Sequence, residues 1–395
     1  MLGLMMTLAL MMGFQDPVGE QSRAATLEEA RQEKAENLQK PTRTFLEQAL
    51  HDFKEKRVLE RFQEGFHGLH PIVGGIRSGS GFGGGTYVET EGVRVSVQGS
   101  IKGYQKYEVR FTAPSVYSDL FFADFRATHR NFPQERFFGI GQNSRKEDET
   151  NYRLEDTNYV GRFGVKPAKH VKAGVLAGWL DTNVGSGTSR RQPSLEEVFQ
   201  ADNTPAMANQ PNYFQMGLFF DADYRDQPGN PRSGGHYLAS WTSFQDHKLS
   251  KYDFGQYDIE AQQYIPFFNK RRVIALRAKS TFTQTAAGQE VPFFMQPTLG
   301  GSEDLRGYRE YRFRDRNMVV FNAEYRWEAF SGLDLALFGD AGQVAPRPGD
   351  LRFSDLQKAY GVGFRFNSAK SVFLRMDLGF SKEGQHLFVK FGHVF

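Results

Sequence analysis

The chain has 395 residues, enough for one large domain or two of ordinary size, and its 49 Lys plus Arg against 46 Asp plus Glu leave a formal net charge of only +3. That balance gives no reason to expect nucleic acid, which demands a concentrated basic face. The absence of cysteine excludes disulfides, thiolate chemistry and cysteine-ligated metals. Apolar residues make up 39%, below the usual ~45–50%, yet 37 residues are Phe and 41 are Gly. Such a composition suits a transmembrane β-barrel, whose lipid-facing residues alternate with polar lumen residues.

Residues 1–14 form an apolar run that includes Leu2, Leu4, Leu8 and Leu10. Its length suits the core of a signal peptide and is too short to span a bilayer as a helix, although no Lys or Arg precedes it. Residues 1–21 are therefore expected to be an export signal. Residues 22–64 change to Ala, Glu, Lys, Leu and Gln, a helix-forming and highly charged mixture divided by Pro41. In its second half Phe45, Leu46, Leu50, Phe53, Val58, Leu59 and Phe62 recur at three- and four-residue spacings, an amphipathic stripe. The expectation is a solvated periplasmic helical arm; the second reading is a helix docked on the mouth of the barrel or on a partner.

The period changes to two after Gly65, and residues 65–395 read as one barrel. Gly74, Gly75, Gly79, Gly81, Gly83, Gly84 and Gly85 suggest a glycine-kinked first strand, since the Lys-Ser/Thr and helix of a phosphate-binding loop do not follow. Val93, Val95 and Val97 then alternate with Arg94, Ser96 and Gln98. Tyr107, Val109 and Phe111 alternate with Lys106, Glu108 and Arg110. Further strands are expected from near Tyr152, Val171, Tyr213, Tyr237, Tyr257, Val273, Met318, Leu333, Lys358, Val372 and His386, giving about sixteen in all. The fold class is all-β: an antiparallel transmembrane barrel, which satisfies every backbone group between strands and has no exposed edge. Long insertions at 142–150, 184–210, 221–235 and 284–315 are expected on one end of it, with short turns on the other. Within the second of these, Ser194 to Glu197 has the pattern of a short capped helix.

Chemistry concentrates in the last third. In residues 318–327, Val319, Phe321, Ala323, Tyr325 and Trp327 form the lipid face, which turns Asn322, Glu324 and Arg326 inward. Leu333, Leu335 and Leu337 face outward in the next strand, which puts Asp334 and Asp340 inside. Just before these strands stands Gly300-Gly301-Ser302-Glu303-Asp304-Leu305-Arg306-Gly307-Tyr308. A guanidinium folded into the lumen could bridge Glu324 and Asp340 through its planar fork of donors, with Gly300, Gly301 and Gly307 allowing close approach and Tyr308 packing on the wall. Two carboxylates can also act as general acid and base, but an arginine between them quenches that chemistry, and no nucleophile–base arrangement appears elsewhere, so no enzyme is expected. The nine histidines lack metal-ligand spacing, and no cofactor or metal is expected.

The Gly-Gly-x-x-x-Leu-Arg-Gly-Tyr pattern resembles the lumen-loop motif of the BamA/TamA superfamily of outer-membrane barrels, the bacterial surface-antigen family. Phe321-Asn322-Ala323-Glu324-Tyr325 and Phe338-Gly339-Asp340-Ala341-Gly342 look like two of its strands, and Phe137-Phe138-Gly139-Ile140-Gly141 resembles a further element of members without POTRA domains. The resemblance implies that Arg306 pairs with Glu324 and Asp340. It also implies that Leu387, Val389, Phe391 and Phe395 form a C-terminal signal, ending on an aromatic of the outer face, that barrel-assembly machinery recognises during the protein's own insertion. Because the forty-odd residues at 22–64 read as helix, no POTRA domain is expected there. The expected setting is the bacterial outer membrane, with its lipids as partners. The expected role is outer-membrane protein assembly or insertion, or membrane biogenesis, through a seam between the strand near 74–85 and residues 387–395. Other outer-membrane proteins, or a periplasmic protein in trans, would be further partners. The alternative is a pore or structural barrel without insertase activity.

Overall fold

In a computed structural model, residues 44–56, 64–65, 68–117, 119–393 and 395 are described. The expected signal peptide and most of the arm lie outside the described residues. The chain divides into two compact units, Met1–Gln48 and Ala49–Phe395.

Helix α1 (Phe45–Glu55) begins in the first unit and ends in the second. The strands follow as β1 (Leu69–Val73), β2 (Gly83–Thr90), β3 (Val93–Ser100), β4 (Gln105–Tyr117), β5 (Phe121–Phe137), β6 (Thr150–Ala168) and β7 (Val171–Ser186). After helix α2 (Leu195–Val198) come β8 (Asn212–Asp223), β9 (Gly234–Asp246), β10 (Phe254–Phe267) and β11 (Arg272–Gln284). The last are β12 (Thr298–Leu299), β13 (Phe313–Arg314), β14 (Asn317–Phe330), β15 (Leu333–Ala345), β16 (Gln357–Asn367), β17 (Val372–Ser381) and β18 (Gly384–Phe391). Sixteen of these form one antiparallel sheet in chain order, with β11 paired to β14, while β12 and β13 make a separate ribbon within the connection between them. The sheet curls into a nearly closed barrel, as the alternation in the sequence led us to expect. Among the described residues no ladder joins β1 to β18.

Alternation sorts the faces. On β14, Phe321 and Trp327 are exposed while Asn322, Glu324 and Arg326 are buried. The same outer face carries Val95, Val97, Val109, Phe111, Phe163, Leu218, Ile259, Leu276, Leu337 and Val362, all exposed, which is the band a lipid layer would cover. No helix among the described residues is long and apolar enough to cross a membrane.

Three details depart from expectation. The first strand is Leu69–Val73, so the glycines from 74 to 81 form its connection to β2 rather than the strand itself. Strand order also puts the connection at 224–233 on the same end as the short turns at 169–170 and 268–271, not among the long loops. Finally, α1 is not freely solvated over its second half. Phe53 packs on Phe373 with ring centroids 5.6 Å apart, Lys54 lies 4.0 Å from Glu328, and the His51 Nδ1 is 3.4 Å from the Ser331 hydroxyl.

Candidate functional site

The connection between β11 and β14 folds back into the lumen and delivers Arg306 to the inner wall. Its Nε and Nη2 donate to the two oxygens of Asp340, each at 2.8 Å, and its backbone N–H donates to the same carboxylate at 3.1 Å. Nη1 donates to Glu324 at 2.6 Å. The guanidinium lies flat over Phe338, 3.6 Å from the ring centroid, and Arg306 is 0% exposed.

The wall around it is a continuous ion network. Glu324 also receives Arg326 at 2.9 Å and Arg365 at 3.0 Å. Arg365 in turn stands 2.6 Å from Asp377, which Arg375 approaches at 3.3 Å. Asn322 donates to Asp340 at 2.8 Å. The inward position of Arg326 is as expected, whereas Arg365, Arg375 and Asp377 are not marked by the sequence reading; the available signal is their parity, each two residues from another inward position. Strand β16 makes room for them with glycine. A methyl group at Gly363 would stand 2.4 Å from Asp377 and 2.5 Å from Arg365, and one at Gly361 would meet Phe338 at 2.5 Å.

The motif glycines are explained by close approach. A Cβ on Gly307 would lie 2.6 Å from the Phe380 carbonyl, and Gly301 has φ +99° with Glu310 occupying the place of a side chain. Ser302 donates to Glu310 from both its N–H, at 3.3 Å, and its hydroxyl, at 3.0 Å. Burial pushes the Glu310 carboxyl up from its ordinary value, opposed by the Lys390 ammonium and by Ser302. Gly300, at φ +121°, begins the turn. Tyr308 is buried, stacks edge-on against Phe313 and donates to Gln357 at 3.1 Å.

At the long-loop end, Phe137 and Phe138 are buried, and the Gly141 N–H donates to the Arg314 carbonyl at 2.7 Å. Arg312 lies over the Phe138 ring at 5.2 Å, while Arg314 donates to the Phe293 carbonyl at 2.6 Å. These contacts tie the ribbon β12–β13 to an aromatic cap built from Tyr152, Leu154, Tyr213, Phe244, Phe254 and Phe293 among others, so the inward face, charged lower down, turns apolar here. Helix α2 joins the cap through buried Leu195, with a capping box between Ser194 and Glu197.

The opposite end is crossed by residues 224–233. Arg232 donates to both oxygens of Asp334 at 2.8 Å, Gln227 to the Ala369 carbonyl at 3.2 Å, and the Val372 N–H to the Gly229 carbonyl at 3.0 Å. Segment 224–233 thus runs from the β8–β9 wall to β15 and the β16–β17 turn, and that crossing accounts for its length. Although partial burial pulls the other way, the N–H groups of Arg232 and Ser233 and the Lys270 ammonium hold the Asp226 carboxyl down at about 2. The residues after β18 turn inward at the same end. Phe395 is 4% exposed against Tyr264, Val273 and Ala275, and Tyr264 donates to its carbonyl at 2.6 Å. This corrects the expectation of an outer-face aromatic at 395. Gly392, at φ +89°, breaks the alternation that keeps Leu387 and Val389 outside.

At the seam, side chains join β18 to the β1–β2 connection and to the loop that carries Arg306. Lys390 donates to the Ser78 hydroxyl at 3.2 Å and lies 3.9 Å from Glu310, Ser78 donates to Glu303 at 3.0 Å, and Phe82 meets Phe391 edge-on at 6.2 Å. A cavity of about 520 Å³ opens there, lined by Gly75, Gly79, Gly81, Phe82, Phe388 and Lys390 among others. The described residues hold no cluster of His, Asp or Glu able to bind a metal ion.

A family profile described as the Omp85 superfamily domain matches residues 82–391. No curated protein sequence matches the chain significantly. Among solved structures, it is similar to BamA from Haemophilus ducreyi lacking POTRA domains 1–3, with a TM-score of 0.59 and 15% identity, covering 82% of this chain and 69% of that one. It is also similar to CdiB from Escherichia coli, with a TM-score of 0.52 and 13% identity over 82% of this chain and 62% of that one. At these identities the likeness is one of fold, and the chain spans roughly two thirds of the length of either structure.

Proposed function

The chain belongs to the Omp85 superfamily, and on that premise we propose that it works at the bacterial outer membrane in the assembly or insertion of outer-membrane proteins, with the seam between β1 and β18 as its working edge. The observation that carries this reading is the thinning of the wall at the seam. Strand β1 has 5 residues and β2, β3 and β18 have 8 each, whereas β5, β6 and β7 have 17, 19 and 16. A tilted strand needs ~9–11 residues to cross the hydrocarbon layer, so lipid beside the seam must thin or expose polar backbone. Strand edges without a ladder also offer N–H and C=O groups to an incoming strand.

On this reading Arg306, anchored by Glu324 and Asp340, fixes the loop whose Ser302, Glu303 and Glu310 meet Ser78 and Lys390 across the seam. Gly300, Gly301, Gly307 and Tyr308 shape that loop. Leu387, Val389 and Phe391 supply the outer face of the closing strand, and lipids and unfolded outer-membrane proteins are the partners. The alternative of a pore is weakened by the cap and the crossing segment, which occupy the two ends of the lumen.

The decisive experiment is depletion from the native cell, read as the amount of folded outer-membrane barrels on a heat-modifiability gel. Folded barrels fall if the reading is right; unchanged levels of every other barrel sink it. In liposomes, the full chain speeds the folding of an unfolded barrel, and joining Ser78→Cys to Lys390→Cys with a short bis-maleimide abolishes the gain. The cysteine-free sequence makes that cross-link unambiguous.

A further inference from the structure

Away from the Arg306 network, the inner wall of β4, β5 and β6 carries a second group of charges that the proposed function does not use. Strand register places Arg110 directly opposite Arg126, and Lys106 directly opposite Arg130. Like charges so placed repel. The carboxylates present do not resolve this. Glu108 is taken by Lys106 at 2.9 Å, Asp124 by Arg110 at 2.6 Å, and Asp156 by Arg130 at 2.8 Å. Arg126 and Arg162 make no ion pair within 4.0 Å among the described residues, although Asp124 stands opposite Arg162 in the register, and the Arg126 Nε is buried without a hydrogen-bond partner. The Arg162 guanidinium carbon lies 5.4 Å from the centroid of the Phe219 ring. Both arginines line one cavity of about 210 Å³, together with Lys106, Arg130, Thr128 and Asn158 and the carboxylates of Glu108 and Asp124, so cations outnumber anions four to two in its lining.

We infer that this cavity is a binding site for a tetrahedral oxyanion, a phosphate or a phosphoryl group, held between Arg126 and Arg162. Guanidinium forks match phosphate oxygens in pairs, and the Asn158 amide N–H groups in the same lining supply further donors. The volume takes one such group with a few waters, at ~30 Å³ each, and not a nucleotide. A bound anion supplies the close ion pair that Arg126 and Arg162 lack.

The test uses the full chain in nonionic detergent and follows its melting temperature against inorganic phosphate, with sodium chloride holding ionic strength constant. A ligand bound only by the folded state raises that temperature saturably. Phosphate should do so for the natural chain, and Arg126→Gln or Arg162→Gln should shift the half-saturating concentration at least tenfold. Without phosphate, both variants should melt no lower than the natural chain, because each removes a repulsive charge. A parallel titration with dihexanoyl phosphatidic acid identifies the source: tighter saturation names a lipid headgroup, weaker saturation the free ion. Phosphorus-31 line broadening on the natural chain provides a readout independent of the variants. No saturable response beyond chloride to either probe, or variants that respond as the natural chain does, overturns the inference.

Discussion

Arg306 carries the most consequential interactions of any single side chain. Its partners Glu324 and Asp340 are 1% and 3% exposed, and because Glu324 keeps Arg326 and Arg365, removing the guanidinium chiefly strands the buried charge of Asp340. Arg306→Ala should cost about 3–5 kcal/mol, the range for breaking a buried ion pair by deleting one member. Arg306→Lys should recover only part, since an ammonium cannot make the two parallel bonds to Asp340 and would lose the flat contact with Phe338. Melting followed by the gel shift between folded and unfolded barrel ranks the three proteins; an alanine variant as stable as the natural chain refutes the assignment. The motif and the inward parity of Glu324 and Asp340 were legible in the sequence because strand alternation is a short-range property. Asp377 and Arg365 were not, since each lies on another strand, and a single sequence carries no record of which strands curl together.

At the level of elements, the segment at 224–233 shows where such reading stops. A polar insertion announces itself by composition, but its end of the barrel depends on counting every strand before it, and its path depends on what it reaches. Its tether makes a pH-dependent prediction. The Asp226 carboxyl is held at about 2, below its ordinary value, so its contribution to stability is fully present above pH ~4 and is lost as pH falls toward 2. Asp226→Asn should therefore loosen the segment at neutral pH, read as faster amide exchange at Gly229 and Ser233, and the difference should vanish near pH 2. A difference that persists unchanged at pH 2 means the carboxylate is not the tether. His393 behaves in the opposite range. Burial pushes its ring down to about 4, so a tail docked with neutral histidine loses stability as pH falls from 6.5 toward 4. Limited carboxypeptidase digestion should therefore release residues after β18 faster at pH 5 than at pH 7.5, and His393→Gln should remove that dependence.

On the scale of the whole barrel, chain lies across both ends of the lumen. The aromatic cap is tied at one end through Arg314 and Phe293, and the crossing segment at the other through Arg232 and Asp334. Two obstructions in series conduct only when both are open, which gives an asymmetric expectation for variants. The natural chain in a planar bilayer should show no steady channel. Asp334→Asn leaves Arg232 without its carboxylate and frees one end, and Arg314→Ala loosens the cap at the other, yet neither alone should open a through-path. Together they should produce steps of conductance well above the sum of the single variants. Steady conductance from the natural chain would revive the pore reading. A silent double variant that still shows the folded gel mobility would move the obstruction to the Arg306 loop between them.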